Sequence, residues 1–289
     1  MMSKPAVGFI GTGVMGKSMA GHIQDAGYPL YVYNRTKAKT DELCKQGAVW
    51  CDGPAEVAKQ ADIIITIVGY PKDVEAMYLH EDGLIAHASE GTVLIDMTTS
   101  RPDLAETIEK RAKEKGLHAL DAPVSGGDVG ARDAKLAIMC GGDQEAFDQV
   151  MPVLSCMGEK IERLGPAGAG QHTKMANQIA IASTMLGVAE SLAYAKAAGL
   201  SQEQVLAVIE TGAAGSFSMS KLGRKMIAGD DDPGFYLKHF VKDMGIAIES
   251  AEQLGMHLPG LAQAKTLYEK LEEDGFGDFG TQAIRRVYE

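Results

Sequence analysis

The chain has 289 residues, of which 45% are hydrophobic and 23% are charged, and its formal net charge is −11. This length predicts two domains, because a domain usually holds about 100–200 residues, and the composition is that of a globular protein. The acidic balance argues against nucleic acid or an anionic membrane as the main partner, since both bind basic surfaces, but it permits a local site for a small anion.

The four cysteines contain no C-x-x-C pair. With no recognisable secretion signal, this pattern predicts reduced thiols in a cytoplasmic protein. We expect no metal site. The longest apolar runs, such as Ile63–Val68, are too short to cross a bilayer. The first residues resemble a short signal sequence, but the glycines that follow at once are better explained by a strand and a turn.

The first half alternates short β-branched runs with longer amphipathic stretches. This alternation predicts βαβ units, and therefore a doubly wound parallel sheet, over residues 1–165. The predicted strands are Ala6–Ile10, Leu30–Tyr33, Ile63–Val68, Thr92–Ile95, His118–Ala122, Leu136–Cys140 and Lys160–Leu164. The predicted helices are Lys37–Gln46, Asp103–Lys115 and a segment that begins at Gln144.

The second half, residues 166–289, predicts an all-helical domain. Its first helix, Ala169–Ala198, would span about 45 Å. This helix is apolar nearly all round, which predicts burial within the protein or an oligomer. Gly199 is expected to end it and Ser201 to cap the next helix. The later predicted helices are Gln202–Thr211, Val241–Leu254 and Leu261–Glu273.

A glycine-rich loop, G-T-G-V-M-G at Gly11–Gly16, follows the first strand and opens a helix. This is the context in which the G-x-G-x-x-G pattern binds a dinucleotide. Gly11 permits the tight turn, Gly13 admits the pyrophosphate and Gly16 lets the helix pack on the strand. Val14 and Met15 complete the predicted binding loop. The alternative is a glycine-rich turn without a ligand.

The end of the second strand predicts which dinucleotide is bound. An NAD site usually has an acidic residue there, which holds the ribose 2′-hydroxyl. This chain has Asn34, Arg35 and Thr36 instead, and Arg35 can pair with a 2′-phosphate. We therefore expect NADP in preference to NAD, with NAD still possible. The alternative is a solvated loop arginine.

A lysine near the start of the long helix is the strongest catalytic candidate. Lys174, Asn177 and Gln178 lie three and four residues apart and share one helix face. A charged lysine on an apolar buried helix has a desolvation cost, so its presence there needs a reason. Burial would also lower the pKa of the lysine and make proton transfer easier near neutrality. The alternative is a lysine that reaches the solvent from a helix end.

A second polar motif follows the fifth predicted strand. Ser125, Gly126 and Gly127 can present several backbone N–H groups to an anion such as a substrate carboxylate. The alternative is a flexible loop.

Together these motifs resemble the β-hydroxyacid dehydrogenase family, which includes 3-hydroxyisobutyrate dehydrogenase and semialdehyde reductases. The resemblance covers nearly the whole chain. It is carried by the segments Phe9–Gly16 (F-I-G-T-G-V-M-G), Asp96–Pro102 (D-M-T-T-S-R-P), Asp121–Gly127 (D-A-P-V-S-G-G), Gly168–Gln178 (G-A-G-Q-H-T-K-M-A-N-Q) and Lys238–Asp243 (K-H-F-V-K-D).

The resemblance implies a role for each matched residue. Lys174 would be the catalytic general acid or base, and Asn177 or Gln178 its polar partner toward substrate. Ser125, Gly126 and Gly127 would bind the substrate carboxylate. Thr99 would lie near the nicotinamide or the substrate, and Lys242 would reach the cofactor and the substrate, with Asp243 beside it as a substrate residue. Val68 is a further candidate for the cofactor site. The resemblance also implies a homodimer or homotetramer.

The expected activity is hydride transfer between NADP(H) and a small semialdehyde or 3-hydroxy acid that bears a carboxylate. An imine reductase is one alternative, although that group generally lacks the lysine. A 6-phosphogluconate dehydrogenase is another, but its helical domain is usually much larger. A non-catalytic dinucleotide sensor would need no lysine in the second domain.

Overall fold

The computed structural model describes residues 4–289. The first part of the chain forms a nine-stranded sheet in the order β3-β2-β1-β4-β5-β6-β8-β7, with β9 paired to β8. The strands are β1 Val7–Ile10, β2 Leu30–Tyr33, β3 Val49–Trp50, β4 Ile63–Thr66, β5 Val93–Asp96, β6 His118–Asp121, β7 Val124–Ser125, β8 Leu136–Gly142 and β9 Gly158–Gly165. The six strands β1–β6 pair in parallel, whereas β8 runs antiparallel to β6 and β7.

Helices cover both faces of this sheet, which confirms the doubly wound α/β prediction. Phe9 and Ile65 belong to the core cluster on one face, and Ile10 and Ile64 to the cluster on the other. Strands that bury both faces are typical of such sheets. The helices are α1 Gly16–Asp25, α2 Asp41–Lys45, α3 Pro54–Gln60, α4 Pro71–Leu79, α5 Leu84–His87, α6 Pro102–Lys113, α7 Gly127–Arg132 and α8 Gln144–Leu154.

Three local predictions in this part differ from the structure. The expected helix Lys37–Gln46 is instead a 3₁₀ turn, Lys37–Thr40, followed by α2. The Thr40 hydroxyl closes that turn by donating to the Lys37 carbonyl at 2.7 Å. Strand β4 ends two residues early, because Val68 N–H donates to Thr98 Oγ1 at 2.9 Å. The two-residue strands β3 and β7 were not predicted.

The contacts divide the chain into two compact units, with the division after Lys174. The second unit is helical and contains α10 Gln202–Ile209, α11 Gly223–Ala228, α12 Leu237–Gln253, α13 Pro259–Leu271 and most of α9 Ala169–Ala197. Its core joins residues such as Met185, Phe240 and Tyr268. Ser201 caps α10 by accepting from Gln204 N–H, as expected.

Within one chain, helix α9 is buried on one side only. One side is buried at about every third or fourth position, including Ala182, Met185 and Leu192. The other side is exposed and carries small or polar residues, namely Ala176, Ala180, Ser183, Gly187 and Glu190. Among residues 4–289, no helix is both long and apolar enough to cross a membrane.

Candidate functional site

The glycine loop between β1 and α1 has the geometry that its pattern predicts. Gly11 has φ +99, and a Cβ there would lie 2.0 Å from the Ile67 carbonyl oxygen. A Cβ on Gly16 would lie 1.9 Å from the Gly11 carbonyl oxygen. A Cβ on Gly13 would meet nothing within 4 Å. Gly11 and Gly16 therefore serve the fold, whereas Gly13 leaves open space beside the loop.

Asn34 ties this loop to the end of β2. Its Oδ1 accepts the Thr12 N–H at 3.1 Å, and its Nδ2 donates to the Thr36 carbonyl at 3.0 Å. The buried Thr12 Oγ1 has no hydrogen-bond partner within the described part of the chain. Open space at Gly13, a polar atom without a partner and a helix start beside them fit the pyrophosphate of a dinucleotide.

The surface next to Asn34 carries both basic and acidic side chains. The Arg35 side chain is 78% exposed and lies 3.5 Å from Asp73 Oδ1. A surface depression next to the loop is lined by Thr12, Lys17, Ala38, Lys39, Asp41, Glu42 and Lys45. Glu42 pairs with Lys17. The depression is therefore lined by side chains of both charges, and Lys39 and Lys45 are its other two cations.

The carboxyl end of β5 carries a buried aspartate that shapes the next segment. Asp96 Oδ1 accepts the Thr66 hydroxyl at 2.9 Å and the Thr98 N–H at 3.1 Å. Burial raises the pKa of Asp96 to about 6, although these hydrogen bonds oppose the shift. Thr98 in turn accepts the Val68 N–H. The predicted cofactor residues Val68 and Thr99 therefore flank a buried network, and Thr99 itself is half-buried.

The carboxyl end of β6 holds the start of helix α9. Asp121 Oδ1 accepts the Gly168 N–H and Oδ2 accepts the Gln171 N–H, each at 2.8 Å. The Gln171 side chain donates to the Thr98 carbonyl at 2.7 Å and accepts from Ser100 N–H at 2.9 Å. Burial raises the pKa of the Asp121 carboxyl, and the backbone N–H groups act in the opposite direction.

Lys174 lies one turn further along α9 and is 7% exposed. Its Nζ donates to the Val124 carbonyl at 2.8 Å. Val124 directly precedes the Ser125–Gly127 motif, in which Gly126 and Gly127 have φ +137 and +63. Those backbone angles favour glycine. The first unit therefore brings together two motifs that are 50 residues apart in the chain.

The second unit connects its four predicted residues by polar contacts. Asn177 Nδ2 donates to Gln178 Oε1 at 2.8 Å, and Gln178 Nε2 donates to Asp243 Oδ2 at 2.7 Å. Lys242 Nζ lies 2.8 Å from Asp243 Oδ1. Gln178 and Asp243 are buried. Asn177 is half-buried, so both candidate amides belong to one network.

Three buried residues of this region received no role from the sequence: Asp96, Asp121 and Gln171. Each lies inside a motif that was noted above. For Asp96 and Asp121 the sequence did carry a signal, namely an acidic residue at the carboxyl end of an apolar strand. Residues 4–289 contain no group of three or more His, Cys, Asp or Glu side chains suited to a metal ion.

Comparison with known proteins agrees with this geometry. Residues 6–165 match the NAD-binding domain of 6-phosphogluconate dehydrogenase. Residues 168–288 match the NAD-binding domain of NADP-dependent 3-hydroxyisobutyrate dehydrogenase. Among the most similar relatives is the Bacillus subtilis oxidoreductase YkwC, 57% identical over 99% of both chains. The Arabidopsis thaliana probable 3-hydroxyisobutyrate dehydrogenase-like 1 is 50% identical over 98% of this chain and 84% of that protein.

A solved structure extends the likeness to three dimensions. The 3-hydroxyisobutyrate dehydrogenase of Mycobacterium tuberculosis, solved with L-serine, has a TM-score of 0.90 and 28% identity. The match covers 98% of this chain and 99% of that one. The fold, both sequence profiles and the relatives therefore agree with the resemblance found in the motifs. The chain belongs to the β-hydroxyacid dehydrogenase family of NAD(P)-dependent oxidoreductases, which act on CH–OH groups.

Proposed function

We propose that this protein is an NADP(H)-preferring enzyme that reduces a small aldehyde carrying a carboxylate or, in the reverse direction, oxidises a 3-hydroxy acid. Lys174 is its general acid and base. The observation that carries the proposal is the buried Lys174 Nζ, held 2.8 Å from the carbonyl of Val124 beside Ser125–Gly127. A buried ammonium next to an anion-binding loop suits a substrate with both a carbonyl and a carboxylate.

The chain's residues divide the reaction between binding and proton transfer. When bound, the nicotinamide supplies or accepts the hydride at the substrate carbon. In reduction, Lys174 donates a proton to the substrate oxygen as that carbon is reduced, and in oxidation it takes the proton back. The Val124 carbonyl accepts a hydrogen bond from one of the three ammonium N–H groups. This bond fixes the rotation of the ammonium group and therefore the direction of the other two N–H groups. The N–H groups of Ser125–Gly127 bind the carboxylate.

The preference for NADP rests on charge next to the ribose end of the glycine loop. Asn34 replaces the acidic residue of an NAD site, and Arg35 is exposed beside it. Lys39 and Lys45 line the adjoining depression. Arg35 supplies a cation for a 2′-phosphate beside a depression that Asp41 and Glu42 also line, whereas a carboxylate at position 34 would repel the phosphate.

The substrate class is supported by a relative with the same fold. The Mycobacterium tuberculosis enzyme was solved with L-serine, which is itself a 3-hydroxy acid with a carboxylate. Within the second unit, we assign Asn177, Gln178 and Asp243 to the substrate and Lys242 to the cofactor. The Gln178–Asp243 hydrogen bond and the Lys242–Asp243 ion pair give these side chains fixed orientations.

We also propose that the chain forms a homodimer or homotetramer. The exposed side of α9 carries Ala176, Ala180, Ser183 and Gly187. Small residues in this spacing permit close helix packing. Light scattering on the purified protein tests this directly, and a monomer at micromolar concentration contradicts it.

The activity is tested with a substrate panel. NADPH and NADH oxidation is measured with glyoxylate, succinic semialdehyde and tartronate semialdehyde, and the reverse reaction with L-serine and 3-hydroxyisobutyrate. Butanal serves as the matched neutral control for succinic semialdehyde. The proposal expects turnover of at least one carboxylate substrate and little turnover of butanal. A protein that binds NADPH but turns over none of the panel would support the sensor, and a preference for cyclic imines would support an imine reductase.

A further inference from the structure

Asp121 reaches the start of α9 through an unusually close approach of two backbones. A Cβ on Gly170 would lie 2.8 Å from Asp121 Oδ2 and 2.3 Å from the Met139 carbonyl oxygen. A Cβ on Gly141 would lie 2.5 Å from Asp121 Oδ1. Any other residue at either position would push the carboxylate and the helix apart. The close contact depends on glycine at both places.

The buried carboxylate therefore fixes the position of the first helical turn. The Asp121 side chain accepts N–H groups from Gly168 and Gln171, and the residue is 3% exposed. The N–H groups at a helix start need such partners when they are buried. Lys174 follows Gln171 by three residues, so a shift of this turn moves the lysine backbone with it.

Gln171 adds a second constraint from another segment. Its side chain is 0% exposed and makes both of its hydrogen bonds to backbone groups of Thr98 and Ser100. These two residues flank Thr99, the predicted cofactor contact. Gln171 thereby connects the segment after β5 with the helix that carries Lys174.

We propose that Asp121 and Gln171 are positioning residues that hold the Lys174 ammonium at the reacting carbonyl. This inference rests on the proposed role of Lys174. Asp121 fixes the start of the helix. Three residues later, the Val124 carbonyl accepts a hydrogen bond from the ammonium. Gln171 fixes the neighbouring Thr98–Ser100 segment. The lysine is thus anchored at its backbone and at its nitrogen by one short stretch, from Asp121 at the end of β6 to Val124.

The test compares Gln171→Leu and Asp121→Asn with two matched controls. Gln282→Leu removes another buried glutamine that donates to two backbone carbonyls, those of Asp230 and Asp232. Asp143→Asn changes another aspartate that caps a helix, through Glu145 and Ala146 N–H. Each variant is assayed with the fastest substrate of the panel, and its thermal midpoint is recorded.

We expect kcat to fall about 10- to 100-fold in Gln171→Leu and Asp121→Asn, because a displacement of about 1 Å can cost that much. The KM for the dinucleotide should stay within about twofold in Asp121→Asn, since the glycine loop is untouched and Asp121 bonds only the start of α9; in Gln171→Leu it should rise as well, because Gln171 also holds the segment around Thr99. The two controls should lower the thermal midpoint without lowering kcat. If Gln171→Leu does not fold, Gln171→Met replaces it, because methionine keeps the unbranched shape of the side chain and loses both hydrogen bonds.

A double variant separates positioning from a general loss of structure. If Gln171 acts through the lysine, Lys174→Ala with Gln171→Leu should be no slower than Lys174→Ala alone, because the effects of coupled residues are not additive. Multiplied losses, or unchanged kcat in both single variants, would overturn the positioning role. Full kcat in Lys174→Ala would instead overturn the proposed function.

Discussion

Asp96 and Asp121 are register partners at the carboxyl ends of the neighbouring parallel strands β5 and β6. Both side chains are buried, and each accepts a backbone N–H group. Asp96 accepts that of Thr98, which follows β5, and Asp121 accepts that of Gly168, at the start of α9. Burial raises the pKa of both carboxyls, and the charge of Asp121 raises the pKa of Asp96 further. The pair thus organises the edge of the sheet at which we place the chemistry.

The raised pKa of Asp96 predicts how stability depends on pH. The folded pKa is about 6 and the ordinary value is 3.8, so between these values the folded protein binds more protons than the unfolded one. The contribution of Asp96 to the unfolding free energy is therefore full below pH 4 and is lost as pH rises through 6, by about 3 kcal/mol in total.

Asp96→Asn tests this dependence, because asparagine keeps the oxygen that accepts from Thr66 and Thr98. Denaturant unfolding from pH 4 to 7 should show the variant gaining stability relative to wild type as pH rises. The exposed Asp25→Asn serves as the control. Parallel curves for wild type and Asp96→Asn would show that the carboxyl does not titrate in this range.

The glycine loop predicts opposite outcomes for two single changes. Gly13→Ala places a methyl group in open space, so the thermal midpoint should hold while the Kd for NADPH rises about tenfold or more. Gly16→Ala forces a Cβ against the Gly11 carbonyl, so the midpoint should fall. Thermal unfolding and titration calorimetry measure both quantities. Unchanged NADPH affinity in Gly13→Ala would remove the loop from the binding site.

Cofactor choice is tested with Asn34→Asp combined with Arg35→Leu. Aspartate keeps the acceptor for Thr12 N–H and supplies a ribose acceptor, while leucine removes the phosphate partner. Wild type should favour NADPH in kcat/KM by about 10- to 100-fold, from one charged hydrogen bond. Because Arg35 is exposed, we expect the preference for NADPH to lie toward the lower end of this range. Added salt should reduce the preference further.

The double variant should abolish or reverse this preference. Arg111→Leu is the matched control, since Arg111 is another exposed arginine in an ion pair, 3.2 Å from Glu114. Equal or better use of NADH by the wild type at physiological salt would show that Arg35 is a solvated loop residue and would end the NADP assignment.

The Ser125–Gly127 loop predicts a change confined to carboxylate substrates. Gly127→Ala should raise the KM for succinic semialdehyde about tenfold by crowding the backbone N–H groups, and leave butanal reduction unchanged. Gly127 has φ +63, so alanine also adds strain. Gly91→Ala controls for strain, since Gly91 has φ +83 and open space around its Cβ position. Equal losses with both substrates would indicate a purely structural loop.

Local patterns predicted most of the fold. The apolar runs identified seven of the nine strands. Among them, β1, β4 and β5 are buried at every position and have the short continuous signature of buried parallel strands. The strands β3 and β7 have two residues each, too few for any period. The break at Thr40 depends on one side-chain hydrogen bond, which no periodicity reveals.

The candidate site was predictable only where a motif is contiguous. The glycine loop, Ser125–Gly127 and Lys174 each lie in a short contiguous motif whose residue types indicate a chemical role. The bonds of Gln171 to Ser100 and of Asp121 to Gln171 span 71 and 50 residues. They depend on which strands are neighbours and on where α9 begins, and so only the folded chain displays them.

The most direct measurement is kcat for Lys174→Ala with saturating NADPH and the best carboxylate aldehyde. We predict a fall of about 10²–10⁴, the usual worth of general acid–base catalysis, with little change in NADPH affinity and partial recovery on adding methylamine. Lys265→Ala, which removes a half-buried lysine paired with Glu269, should retain kcat. Turnover of Lys174→Ala close to that of the wild type would contradict the assignment of Lys174 as the proton donor.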